Sequence, residues 1–211
     1  MAADGPTPLE RFISGILPEN PVYRQLLGMC PTLAVTNGMR EAMTMAAAVT
    51  FVLLCANILI SLIRHMLKPH LRILVFTLTI AAFVTVADRF LAAYLPDMSR
   101  KLGPYVPLII VNCIIICRCE VCASKQGVLT AISDAVGQSI GFALALASIA
   151  TVREVMGSGA WFGRELLPES VWPKWGIMLL PPGAFLTLGL LLGGANRISA
   201  WRSQKRQAAP A

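Results

Sequence analysis

Apolar residues run through this chain in blocks, not in the strict alternation of half-buried strands or the single stripe of surface helices. Two blocks, Ala42–Ile63 and Trp175–Asn196, carry no charge over 22 residues each. Each exceeds the roughly 20 residues that take a helix across a bilayer core of about 30 Å. Two more are long but interrupted: Ile73–Leu95 by Asp88 and Arg89, and Val128–Val152 by Asp134. The remaining two, Leu26–Thr36 and Pro104–Cys117, are short, with 11 and 14 residues. The order is short, long, long, twice over. It predicts an all-α polytopic membrane protein with six transmembrane segments in two inverted three-segment repeats, the first segment of each a half-helix. Residues 1–20 are expected as a cytoplasmic or interfacial N-terminal segment, 21–101 and 102–197 as the two repeats, and 198–211 as a basic cytoplasmic tail.

The short blocks matter most. At 1.5 Å per residue they rise only about 16–21 Å, half to two-thirds of the core. Backbone that breaks at membrane depth must be buried in protein or line a cavity. Interrupted segments at matching places in two halves point to a midplane site. Each short block carries a cysteine nine residues after a proline, Cys30 after Pro21 and Cys113 after Pro104. Three segments per half force the second half to run opposite to the first, so the two thiols approach the midplane from opposite faces. Thiolates suit soft metals and iron–sulfur clusters, which usually take four cysteines. Two thiols in one chain make half a site.

Composition sharpens this picture. The chain is 56% hydrophobic and only 14% charged, against about a quarter charged in soluble domains. Its net charge of +7 flanks the apolar blocks, which points to topology and anionic lipid headgroups, not to nucleic acid. Placing the Arg64–Arg72 loop, Arg197 with the tail, Arg11, Arg24, Arg118 and Lys125 on one side collects 11 of the 18 basic residues there. That side is the cytoplasm by the positive-inside rule, and it holds both termini. The first 25 residues show no secretory signal pattern. The stretch PLERFISGIL sets Leu9, Phe12, Ile13, Ile16 and Leu17 at helical spacing. This suits a helix in the membrane interface, or equally one packed on another subunit.

Other chemistry-bearing residues weigh less. Cys113, Cys117, Cys119 and Cys122 give C-x3-C-x-C-x2-C, but on a continuous helix they cannot converge on one ion. Cys55 lies in a smooth apolar span and reads as packing. Asp88, Asp134 and Glu120 are acids near or within apolar surroundings, functional candidates by default. Asp134 lies close enough to its segment's start to reach the cytoplasmic headgroups. His65 and His70 fall in a basic loop and are expected in solvent. No phosphate-binding glycine loop, HExxH or serine–histidine arrangement occurs. A secondary ion transporter with Asp88 or Asp134 on its path, or a structural scaffold without a redox centre, fits the same broken-helix pattern.

LGMCPTLAVT (27–36), PLIIVNC (107–113), Arg118-Cys119-Glu120, ASK (123–125) and REVMGSGAWF (153–162) resemble the E subunit of the Rnf ion-translocating electron-transport complex. The same signatures mark the D subunit of the sodium-pumping NADH:quinone reductase. The resemblance runs from about Leu9 to Arg197. It implies pairing with a paralogous membrane subunit of opposite topology, the A-type subunit of the Rnf complex, in a bacterial inner membrane. It further implies a [2Fe–2S] centre between the two, with Cys30 and Cys113 as this chain's ligands. Asn112, beside Cys113, becomes a candidate hydrogen-bond donor to that centre. Flavins and further clusters are implied on other subunits, and electron flow between ferredoxin and NAD is implied to be coupled to Na+ or H+ movement. The chain departs from the family pattern at Cys117, Cys119 and Cys122, where glycine, alanine and a bulky apolar residue are expected.

Overall fold

A computed structural model of the chain describes residues 8–16, 19–67, 69–161, 164–165 and 176–207. Ten α-helices follow in order among them: α1 Pro8–Ile16, α2 Met29–Val35, α3 Met39–Ile63, α4 Arg72–Tyr94, α5 Pro96–Leu102, α6 Pro107–Ile110, α7 Cys113–Arg118, α8 Val128–Ser158, α9 Gly176–Leu179 and α10 Pro181–Gln207. The one strand pairing among them is a two-residue ladder, Ala160–Trp161 against Arg164–Glu165.

Among the described residues, three helical stretches are long and apolar enough to cross a membrane: Met39–Met66, Arg72–Tyr94 and Val128–Ser158. The stretch expected at Pro104–Cys117 is longer and broken. Pro96–Tyr105 and Pro107–Ala123 together pass as one span, bent by 56°. Within it, α6 stops at Ile110 and α7 restarts at Cys113, and a π-helical turn, Cys119–Ala123, extends α7. The first short block shrinks to the seven residues of α2. Of the last block, Trp175 lies outside the described residues, and the remainder splits at Leu180 ahead of Pro181-Pro182. Proline lacks the N–H that would continue a helix through that point.

α3 and α8 form the centre and run antiparallel. At one end Glu154 Oε2 accepts the Met39 N–H at 2.9 Å. At the other Ser61 Oγ donates to the Gln126 carbonyl at 3.2 Å. The two helices start alike. Gly38 and Gly127, both extended, precede them. Arg64 lies 26 residues past Gly38 (64 − 38) and Arg153 lies 26 past Gly127 (153 − 127). Each arginine reaches back to the loop before the other helix: Arg64 to the Gln126 carbonyl, Arg153 to Asn37.

α8 is central because its packing face is small: Ala131, Ala135, Gly137, Gly141 and Ala145 are all buried. α4 buries only Phe76, Ile80 and Val84, one stripe four residues apart, and exposes Leu74, Leu78, Val86 and Phe90. An exposed apolar stripe of that length belongs against lipid or another subunit.

α1 lies against α8. A Cβ on Gly15 would stand 2.8 Å from the Gly137 carbonyl carbon, and one on Gly137 2.5 Å from the Phe12 carbonyl oxygen. The backbones touch, as small-residue helix contacts in membranes do. Of the apolar stripe, Leu9 and Ile13 are exposed, while Gly15, off that stripe, is buried. The spacing of large residues could not show that glycine makes the closest contact. His65 and His70 are exposed, as expected.

Candidate functional site

The two cysteines singled out by sequence sit in the first turns of two short helices, Cys30 second in α2 and Cys113 first in α7. The chain reaches α2 through a sharp turn: Leu26 has φ 54° and Gly28 φ 75°. At Gly28 the left-handed backbone and the crowding are both real, since a Cβ there would lie 2.5 Å from Ile114 Cδ1. The turn aims the Gly28 N–H at the other half of the molecule, where it donates to Cys113 Sγ at 2.8 Å. Residues 85 apart in sequence thus meet at the two cysteine turns.

Asn112 caps α7. Its Oδ1 accepts the Ile114 N–H at 3.1 Å, the usual service of an N-cap side chain. The side chain is 1% exposed, and its Nδ2 has no hydrogen-bond partner among the described residues. Cys113 also opens onto a groove of about 700 Å3 lined by Leu27, Phe76, Val111, Ile116, Cys117 and the Arg72–Glu120 ion pair, 3.2 Å apart. Cys30 is exposed.

Cys117 shares the groove with Cys113, but the remaining cysteines do not join them. Cys119 and Cys122 are buried; Cys119 Sγ meets Asn57 Oδ1 at 3.4 Å, and Cys122 Sγ meets Gln126 Oε1 at 3.6 Å. Among the described residues no three of His, Cys, Asp and Glu are gathered to hold a metal. Cys55 is half-buried on α3.

The acids correct one expectation. Asp134 does not reach the headgroups; it is fully buried, with Oδ1 3.4 Å from Arg118 Nη1. Arg118 also donates to Gln25 Oε1 at 2.9 Å. A buried carboxylate in apolar surroundings requires such a partner. Glu120 pairs with Arg72, and Asp88 is half-buried near the end of α4.

Sequence alone does not show that Arg153 is buried: it is 0% exposed inside the bundle. Its Nη1 donates to the Leu33 carbonyl at 3.3 Å and to Thr36 Oγ1 at 2.6 Å, and its Nη2 to Asn37 Oδ1 at 2.6 Å. Its Nε donates to the Met178 carbonyl at 3.1 Å, and Nη2 reaches the Leu180 carbonyl at 3.4 Å. The guanidinium therefore joins the end of α2 to the break between α9 and α10. Its neighbour Glu154 caps α3.

Long apolar helices and a broken span define a membrane-integral protein, whose two cysteine-bearing short helices are linked by the hydrogen bond from Gly28 N–H to Cys113 Sγ. The family model described as "Rnf-Nqr subunit, membrane protein" matches residues 9–192, and the chain belongs to that family. It is similar to the E subunit of the Na+-translocating ferredoxin:NAD+ oxidoreductase complex of Acetobacterium woodii, 42% identical over 93% of this chain and 98% of the relative. It is 42% identical to the D subunit of the Na+-translocating NADH-quinone reductase of Aeromonas hydrophila, over 88% and 90% of the two chains. A third relative, the E subunit of the proton-translocating ferredoxin:NAD+ oxidoreductase complex of Clostridium ljungdahlii, is 39% identical over 86% and 84%. Relatives of near-equal similarity carry names with different ions.

Proposed function

We propose that this chain is a membrane subunit of an ion-translocating ferredoxin:NAD oxidoreductase of the bacterial inner membrane. In this reading it has six membrane segments in two inverted halves, with both termini in the cytoplasm. It holds half of a [2Fe–2S] centre through Cys30 and Cys113, and a paralogous subunit of opposite topology supplies the other two thiolates. The observation that carries the reading is the hydrogen bond from Gly28 N–H to Cys113 Sγ, which draws the two cysteine turns together. The full-length likeness to subunits of ion-translocating oxidoreductases supports the assignment to such a complex.

The residues present fit such a centre. Thiolates are the usual cluster ligands, and hydrogen bonds to sulfur tune the potential. Gly28 N–H already points at one sulfur, and Asn112, whose Nδ2 has no hydrogen-bond partner among the described residues, directly precedes that cysteine in the chain. Bound there, the cluster supplies a one-electron station that divides a barrier of about 30 Å into two shorter steps. The chain's own part is to hold two thiolates at the N-terminal ends of α2 and α7, where helix dipoles favour negative charge. The groove beside Cys113 leaves room for a second subunit to complete the ligand set.

The test is iron and acid-labile sulfide analysis of the complex purified with its partner. Cys30→Ser and Cys113→Ser are expected to remove the cluster and ferredoxin–NAD electron flow, and Cys55→Ser to leave both, because serine is a harder and less acidic ligand. Complex abundance is measured alongside. Variants that assemble with wild-type iron and electron transfer would overturn the redox reading.

A further inference from the structure

Arg153 contributes nothing to the two-thiol site directly, yet it is the largest fully buried side chain described. The end of α2 it grips is the far end of the helix that starts at Cys30. α2 is only seven residues long, too short to hold itself in place. Its last carbonyls need partners, and Thr36 Oγ1, which itself donates to the Thr32 carbonyl at 2.6 Å, also accepts from Arg153. The guanidinium meets this end with three donated bonds in a planar fork, a geometry that lysine cannot reproduce. It also places fixed positive charge about six residues from Cys30, or about 9 Å along a helix.

We infer that Arg153 is a positioning residue for Cys30. Its fork fixes the half-helix that carries the thiol, its charge stabilises added negative charge at the thiol end, and its second set of bonds ties that half-helix to the break at Leu180. The charge part of the inference rests on the proposed iron–sulfur reading; the positional part does not.

Arg153→Gln and Arg153→Lys in the assembled complex separate the two. Amide hydrogen exchange of residues 29–37 is expected to rise about tenfold in both variants, the scale of one lost charge-assisted hydrogen bond, with residues 131–146 of α8 unchanged. The reduction potential of the iron–sulfur signal is expected to fall in Arg153→Gln, which loses the charge, and to stay near wild type in Arg153→Lys, which keeps it. Wild-type exchange at 29–37, or an equal rise through α8, would overturn the inference. So would potentials that move together in the two variants. Should Arg153→Gln fail to assemble, Thr36→Val removes one α2-side bond, and unchanged exchange at 29–37 in that variant would also overturn it. A wild-type complex without iron would overturn the cluster reading instead, and the exchange result would still decide the positional one.

Discussion

Gly28 shows how much can hang on one residue. It combines a left-handed backbone, a side chain of the other half pressed against it, and the N–H that reaches Cys113. A non-glycine residue in that conformation costs roughly 1–2 kcal/mol, before Ile114 is displaced. Gly28→Ala is therefore expected to lower the stability of the complex by about that amount, and to lower its iron content as the two cysteine turns separate. Thermal unfolding together with iron analysis checks this. Wild-type values for both would mean that the turn tolerates a side chain and that the bond to Cys113 does not organise the site. Arg118 and Asp134 teach a complementary lesson. Each looks like an interfacial charge in the sequence, and only their pairing across the α7–α8 connection explains how both can be buried.

At the scale of elements, hydropathy located α3, α4 and α8 to within a few residues because uninterrupted apolar length is a local property. It located the first cysteine helix by its shortness, but the second short block is part of a longer broken stretch, Pro96–Tyr105 and Pro107–Ala123. It could not place the break at Val111–Asn112 or the π-helical turn at Cys119–Ala123, which depend on what packs against them. It could not show that Arg153 is buried, because a charge near the end of an apolar run looks the same whether it faces water or a helix terminus far earlier in the chain. The contact of α1 with α8 was missed because it is made by glycines. Gly137→Val is expected to push α1 off α8, since even one Cβ there would meet Phe12 backbone at 2.5 Å. Limited proteolysis should then cut within residues 8–16 of the variant and spare the wild type. Equal protection in both would show that α1 can find another seat on the bundle.

At the scale of the whole molecule, α3 and α8 are antiparallel helices with a glycine at each start and an arginine 26 residues on. On the proposed reading, two halves related in this way sit in the membrane with opposite orientations, and six segments bring both termini to one side. A cysteine probe at Gly159 is expected to react with an impermeant reagent from outside the cell, and one at Gln204 to remain unlabelled until the membrane is opened. The reverse pattern would sink the orientation and the inverted relation of the halves. The exposure of Cys30 has a consequence for biogenesis. On the proposed reading, a chain that carries two ligands of four, one of them uncovered, cannot complete a four-cysteine site until a second polypeptide arrives. On the proposed reading, cluster insertion then records that two membrane subunits have met in the right orientation. An unpaired copy would be recognisable to the cell by its bare thiol.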